Sequence, residues 1–187
     1  MIEILWPYQK LSFLQHMYVA MTMLRNRHMS QPSPYCSDQI AFLDPFFIRH
    51  MQGDYPLYLA QGKNFVFRKT YHNNFFGLQP VVTNKRWFID IDHLYGCLFL
   101  GTNHWVAIDV DFVKRTIFTY DSIPPDNNED LQESVRPIRK MIPSILSEFI
   151  LATERKKSCA MMDVRKMLNN VPVNENPRDC GVYFEIH

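Results

Sequence analysis

The stretch HWVAIDVDFVKRTIFTYDS, residues 104–122, decides the fold class of this chain. Segments 104–110 and 116–122 are rich in β-branched and aromatic residues, which favour strands. The polar run DFVKR between them has a length and composition that can connect two neighbouring strands. We therefore predict a β-hairpin in which the two strands run antiparallel.

The register of this hairpin decides which side chains meet. In the register that we predict, His104 lies directly opposite Asp121, with Cβ atoms about 4.5–5.5 Å apart. The other pairs of that register are Val106 with Thr119 and Ile108 with Ile117. A hydrogen bond between the imidazole and the carboxylate would fix the tautomer of His104 and support its protonated form. On spacing alone, the alternative is a polar pair on a solvated face of the sheet.

The sequence before the hairpin is helical at first and mixed afterwards. Apolar residues three and four positions apart predict a helix over 13–27, and the run QPSPYCS predicts a loop over 31–37. We expect a second helix over 38–51 that is strained or restarted at Pro45. Residues 55–80 read as mixed and aromatic.

Strands flank the hairpin on one side and helical sequence on the other. We expect strands over 86–95 and 97–100, a loop over 124–130, and a helix over 131–156. Pro137 and Pro143 divide that last helix into two if they break it. Helices, then strands, then helices predict an α+β domain with a mostly antiparallel central sheet flanked by helices.

The composition is that of a globular domain. The chain has 187 residues, of which 47% are hydrophobic and 21% charged, so we predict a single domain over 1–187. Twenty Lys and Arg residues against nineteen Asp and Glu give a net charge of +1, which lacks the electrostatic signature of a nucleic-acid-binding protein. We expect no membrane span, because no apolar run is long enough, and no secretory signal.

The four cysteines are expected to be reduced, mostly buried structural thiols rather than disulfide partners or zinc ligands. Cys36, Cys97, Cys159 and Cys180 contain no C-x-x-C pair, and without a secretory signal they suggest reduced thiols inside a cell. Cys180 precedes Gly181 at the expected first turn of a helix, where the helix dipole favours a thiolate. Taken alone, Cys180 fits a buried structural thiol that caps a core helix better than it fits a nucleophile.

The acidic run at 90–93 does not indicate a metal site. Asp90 and Asp92 share a face of a strand, but His93 points the other way, and the sequence offers no second cluster of ligands. We therefore expect neither a metal ion nor another cofactor.

Taken together, these motifs resemble a known family. WFIDIDHLY, HWVAIDVD, IFTYDS and DCGVY, in this order, resemble the catalytic domain of the ubiquitin-like-protein-specific (SUMO) cysteine proteases, especially the divergent plant and transposon-associated members. The similarity covers about 87–183, and HMYVAMTMLRNR at 16–27 resembles a helix motif of the plant members. The resemblance implies a papain-like or adenain-like fold within the α+β class.

The resemblance also implies roles for individual residues. Cys180 would be the nucleophile, His104 the general base and Asp121 the carboxylate that orients it. Trp105, and Trp6 at imperfect spacing, would form a narrow tunnel for the Gly-Gly tail of the substrate. The family places an oxyanion-hole Gln six residues before the nucleophile, where this chain has Asn174.

The implied function is that of a cysteine peptidase or isopeptidase. It would cleave after the C-terminal Gly-Gly of a ubiquitin-like modifier, as a monomer, with a SUMO-type modifier and its conjugates as partners, in the nucleus or the cytoplasm. Two observations support an alternative: Asn174, and the end of the sequence seven residues after Cys180, where the family continues. On that reading the chain is a truncated, catalytically impaired homologue that binds a modifier or another partner. Acyl transfer to an acceptor other than water is also open.

Overall fold

The computed structural model describes residues 13–79, 82–100, 104–123, 129–154, 160–167 and 171. The helices are α1 (Phe13–Met29), α2 (Pro45–Gln61), α3 (Lys69–Phe75) and α4 (Glu129–Phe149), with a 3₁₀ turn at Gly62–Asn64 after α2. The strands are β1 (Ile40–Phe42), β2 (His93–Phe99), β3 (Trp105–Asp111), β4 (Thr116–Tyr120) and β5 (Asp163–Met167).

The hairpin that we predicted is formed by β3 and β4, but its register differs from the prediction by two residues. Ile108 pairs with Thr119, and Asp111 pairs with Thr116. The predicted pairs of Ile108 with Ile117 and His104 with Asp121 are therefore wrong as directly opposed positions. The reason lies in the turn, which falls later than we assumed.

The turn is set by the end of β3. Asp111 extends the strand by one residue, and its Oδ1 accepts a hydrogen bond of 2.7 Å from the N–H of Lys114. Arg115 closes the turn with a φ of 54°. A shift of two residues leaves every side chain on its own face of the sheet, because side chains alternate with period two. His104 and Asp121 therefore share one face of the sheet in the predicted register and in the observed one.

The sheet is mixed and has the strand order β1-β2-β3-β4-β5. The central strands β2, β3 and β4 are antiparallel, whereas β1 and β5 are added at the two edges in parallel. The α+β class is confirmed, and the antiparallel part of the sheet is its centre.

Different helices cover the two faces of the sheet. On one face, Leu98, Val106 and Ile108 belong to a core that includes residues of α2 and α4. On the other face, Cys97 and Trp105 pack with residues of α1, of which Met21 is fully buried. Helix α1 confirms the amphipathic segment predicted at 13–27.

The second predicted helix, over 38–51, starts later than expected. Residues 40–42 form the edge strand β1, and α2 begins at Pro45. The Asp44 side chain caps α2 by accepting a hydrogen bond of 2.8 Å from the N–H of Phe46. Pro45 occupies the first turn, where a missing N–H costs nothing. Proline therefore starts this helix rather than straining it.

Helix α4 is continuous through both of its prolines. Pro137 and Pro143 are buried in the core, and apolar neighbours such as Ile138 and Met141 are fully buried beside them. Packing of this apolar face outweighs the backbone hydrogen bonds that the prolines cannot donate. The possible division into two helices is therefore wrong. None of the helices that the structure describes is long and apolar enough to cross a membrane.

Strand β5 was not predicted. Three of its five residues are charged, so the segment DVRKM carries a weak strand signal. It pairs in parallel with β4, which requires a long crossover, and α4 lies within that crossover. Arg139 of α4 donates a hydrogen bond of 3.0 Å to the carbonyl of Met162, which ties the helix to the start of β5.

Candidate active site

His104 and Asp121 meet at one end of the β3–β4 hairpin. Nε2 of His104 lies 2.7 Å from Oδ1 of Asp121. The two residues are diagonal neighbours on one face, and their side chains are long enough to close the gap between diagonal positions. Only 13% of the His104 side chain and 5% of the Asp121 side chain are exposed, so the alternative of a polar pair on a solvated face is wrong.

The backbone after β4 holds Asp121 in place. Oδ1 also accepts a hydrogen bond of 3.0 Å from the N–H of Ile123, two residues further along the chain. This local turn is a common conformation of aspartate. It fixes the carboxylate independently of His104.

Asp121 is ionised at neutral pH. Burial alone would raise the pKa of this carboxyl, but the hydrogen bonds from His104 and from the N–H of Ile123, together with the charges of His104 and Lys166, outweigh burial and hold the pKa below 3.8. An ionised carboxylate only accepts hydrogen bonds, so Nε2 of His104 carries the proton between them. The tautomer of His104 is thereby set.

Lys166 is the residue at this site that sequence reasoning missed. Its Nζ lies 3.8 Å from Oδ2 of Asp121, and it belongs to β5, the strand that was not predicted. No motif could have found it, because its position near Asp121 depends on the pairing of an edge strand that lies beyond α4 in the chain.

A second histidine–aspartate pair lies on the opposite face of the sheet. Nδ1 of His93 lies 3.0 Å from Oδ1 of Asp109, and the ring of Tyr95 stacks beside the imidazole. Here burial raises the pKa of Asp109 despite the hydrogen bond from His93. No group of three or more possible metal-binding side chains occurs in the part of the chain that the structure describes.

The structure describes two cysteines, Cys36 and Cys97, and neither of them is the predicted nucleophile. Cys97 is completely buried in β2, and burial raises the pKa of its thiol far above the ordinary value. Cys36 is exposed and lines a separate cavity of about 640 Å³ with Arg25 and Lys85. The predicted nucleophile Cys180 lies outside the described residues, as do Asn174 and Trp6.

Trp105 follows His104 but points to the other face of the sheet. It is 5% exposed and packs against Phe99, with ring centroids 5.0 Å apart, in the cluster that α1 covers. In the described residues it is a core side chain. Its role in a substrate tunnel stays a prediction.

Comparison with known proteins gives one family. A profile of the Ulp1 protease family, C-terminal catalytic domain, matches residues 12–184. A search of curated protein sequences gave no match.

The solved structures that are similar to this chain include two of the protease Ulp1 and one of a bacterial effector. The SUMO protease Ulp1, with its catalytic cysteine oxidised to a sulfonic acid, is 16% identical at a TM-score of 0.54, over 89% of this chain and 62% of that chain. The C-terminal Ulp1 protease domain in complex with Smt3, the yeast ortholog of SUMO, is 14% identical at a TM-score of 0.54, over 89% and 61%. The Xanthomonas campestris effector XopD bound to ubiquitin is 12% identical at a TM-score of 0.49, over 99% and 76%. The chain thus spans about 62% of the length of the first of these proteases.

Proposed function

Because this chain belongs to the Ulp1 protease family, we propose that it is a cysteine-type peptidase or isopeptidase that cleaves after the C-terminal Gly-Gly of a ubiquitin-like modifier. One observation carries the proposal. Nε2 of His104 forms a hydrogen bond of 2.7 Å with Oδ1 of the buried Asp121 carboxylate. These are the two residues to which the family motif assigns the roles of base and orienting group. Family membership adds the expectation of a thiol nucleophile, for which DCG at 179–181 supplies Cys180.

The proposed reaction uses both nitrogens of His104. Asp121 engages Nε2, so Nδ1 takes the proton from the Cys180 thiol. The thiolate attacks the carbonyl carbon of the terminal glycine, and His104 returns the proton to the leaving amine, which leaves a thioester. Water then attacks the thioester while His104 takes its proton. The products are the free glycine carboxylate and the regenerated thiol.

The oxyanion of each tetrahedral intermediate would be stabilised by hydrogen-bond donors near the nucleophile. Backbone N–H groups at Cys180 and the side-chain amide of Asn174 are the proposed donors. Asparagine is one methylene shorter than the glutamine of the family motif, and loss of one such donor costs on the order of 100–1000-fold in rate. Slow turnover is therefore part of the proposal.

We propose a SUMO-type modifier and its conjugates as partners of a monomeric enzyme. The structure of the similar Ulp1 domain in complex with Smt3 supports this choice of modifier. A narrow tunnel beside Trp105 would admit glycine alone and exclude other side chains. The nucleus or the cytoplasm is the proposed location, and neither a membrane nor a nucleic acid is a proposed partner.

A second candidate function follows from Asn174. A homologue with a weakened oxyanion hole would still recognise a modifier without processing it. On this reading the chain is a modifier-binding module, and the His104–Asp121 pair is a structural remnant.

The test is covalent labelling by SUMO or ubiquitin that carries a C-terminal vinyl sulfone. The 187-residue chain and the variants Cys180→Ala and His104→Ala are first shown to be folded by circular dichroism. We expect a covalent adduct with the unmodified chain, none with Cys180→Ala, and labelling slowed by roughly 10²–10⁴-fold in His104→Ala.

The chain offers matched controls for both variants. His93→Ala removes an imidazole from a similar histidine–aspartate pair, and Cys36→Ala removes an exposed thiol. Both should label at the rate of the unmodified chain. An adduct that persists in Cys180→Ala would overturn the assignment of the nucleophile. Binding of unmodified SUMO without any adduct would favour the second candidate function.

A further inference from the structure

Lys166 presents a buried positive charge to the candidate site. Its Nζ is buried, lies 3.8 Å from Oδ2 of Asp121, and has no hydrogen-bond partner among the described residues. Only 18% of the Lys166 side chain is exposed. By contrast, the side chain of Lys114, which lies 2.9 Å from Asp111 at the hairpin turn, is 66% exposed. Lys166 is therefore a partly buried lysine whose Nζ is shielded from solvent, and Lys114 is an ordinary surface lysine.

The register of β5 explains how Lys166 reaches Asp121. Lys166 pairs with Thr119 of β4, which in turn pairs with Ile108 of β3, so all three side chains share the face of His104 and Asp121. The Thr119 hydroxyl is also buried without a hydrogen-bond partner in the described part of the chain. A buried ammonium is costly unless an opposite charge compensates it. The Asp121 carboxylate provides that charge.

The two oxygens of Asp121 thus face two different basic groups. Oδ1 accepts the hydrogen bond from His104, and Oδ2 faces Lys166. We propose that Lys166 is a positioning residue that sets how readily His104 holds a second proton, because its buried ammonium shares the Asp121 carboxylate and opposes another positive charge beside it. The catalytic meaning of this inference rests on the proposed function, since His104 acts as a base only in that reaction.

The direction of the effect follows from what else holds Asp121. If Lys166 oriented the carboxylate, its removal would weaken the bond to His104 and make the imidazole less basic. However, the N–H of Ile123 already fixes Oδ1 at 3.0 Å, whereas Nζ at 3.8 Å is too distant for a hydrogen bond. The charge effect therefore dominates. Without Lys166, the imidazolium of His104 should keep its proton to higher pH.

Few other charges of the described residues act on Asp121. Within the described part of the chain, the charged side chains that act on this carboxylate are His104, which directly precedes β3, and Lys166 of β5. From α4, Arg139 donates a hydrogen bond to the carbonyl of Met162, which directly precedes β5 at the opposite end of that strand from Lys166. The ammonium of Lys166 is thus the fixed charge whose removal the experiment must isolate.

The experiment is an NMR titration of His104 in the full-length chain, which needs no turnover. Selective ¹⁵N-histidine labelling gives signals for the seven histidines, and the signal that His104→Ala lacks belongs to His104. We expect Lys166→Met to raise the midpoint of His104 by roughly one pH unit. Lys166→Arg keeps the charge and should restore the midpoint, and the surface control Lys114→Met should not change it. If Lys166→Met does not fold, Lys166→Gln removes the same charge and keeps a polar end.

A second readout separates this inference from the proposed function. Where the chain reacts with the vinyl sulfone probe, the acidic limb of its pH–rate profile, below which His104 is protonated and cannot act as a base, should move upward by the same amount in Lys166→Met. A His104 midpoint that is unchanged or lowered when Lys166 loses its charge would overturn the inference, even if the chain labels normally. Absence of labelling combined with the expected shift would contradict the proposed function and leave the tuning by Lys166 supported.

Discussion

Asp121 is the residue on which the candidate site depends. It accepts hydrogen bonds from His104 and from the backbone of Ile123, and it faces Lys166. Burial favours the neutral acid, yet these partners keep the carboxyl ionised. At Asp109, burial and the negative charge of Asp111 prevail over the hydrogen bond from His93 and the charge of Lys114, so the pKa of this carboxyl is raised. The balance between burial and the surrounding hydrogen bonds and charges therefore distinguishes the two carboxylates.

Cysteine reactivity is a prediction at the same scale. Iodoacetamide at about pH 8 should alkylate Cys36 and leave Cys97 unmodified in the folded chain, because Cys97 is completely buried and burial raises the pKa of its thiol. Peptide mapping by mass spectrometry measures both sites. Unfolding in urea is the control and should make Cys97 react as fast as Cys36. Rapid alkylation of Cys97 in the folded chain would contradict its place in the core.

At the level of elements, the prediction was best where local sequence decides the structure. The aromatic and β-branched residues of β3 and β4 identify the hairpin, and period-two alternation places His104 and Asp121 on one face in either register. The exact register depends on a turn that Asp111 and Arg115 shape together, and composition alone does not locate that turn.

The sequence was least informative where distant segments decide the structure. Strand β5 forms because it can pair with the free edge of β4. Its charged residues give a weak strand signal, so the sequence does not reveal it. Lys166 could not be assigned to the site for the same reason. Helix α4 passes through Pro137 and Pro143 because its apolar face is buried, which local propensity does not report.

Two glycines, Gly77 and Gly53, are expected to respond in opposite ways to replacement by alanine. Gly77, after α3, has a φ of +64°, and an added Cβ would lie 2.7 Å from the carbonyl oxygen of Lys85. Gly77→Ala should therefore lower the free energy of unfolding by at least about 2 kcal/mol. Gly53, in the middle of α2, has open space around it, so Gly53→Ala should raise that free energy by about 0.5–1 kcal/mol. Urea unfolding measures both, and equal effects would contradict the geometry at Gly77.

Across the whole molecule, two histidine–aspartate pairs lie on opposite faces of one sheet. His104–Asp121 lies on the face that α2 and α4 cover, and His93–Asp109 lies on the other. Their carboxyl groups shift in opposite directions, since the pKa of Asp121 is lowered and that of Asp109 is raised. The two pairs should therefore affect stability in opposite ways as the pH changes.

The pH dependence of stability tests these opposite signs. The lowered pKa of Asp121 gives stability that is present above 3.8 and is lost as the pH falls through the folded value. The raised pKa of Asp109 works in reverse, because stability is lost as the pH rises from 3.8 through its folded value. As the pH rises across these ranges, the stability of Asp121→Asn relative to the unmodified chain should decrease, and that of Asp109→Asn should increase. Urea unfolding between about pH 2.5 and 6 measures both differences, and shifts of the same sign would contradict the assignment.

The parallel edge strand also has a consequence for how the chain is made. During translation, the hairpin with His104 and Asp121 is synthesised first. Lys166 is added only after the 21 residues of α4 have been synthesised. Strand β5 cannot join β4 until that helix has crossed over the sheet. A nascent chain therefore carries the imidazole and its carboxylate before the lysine charge arrives. On the proposed role of Lys166, the proton affinity of His104 changes when β5 docks, so this imidazole reports the docking of that strand.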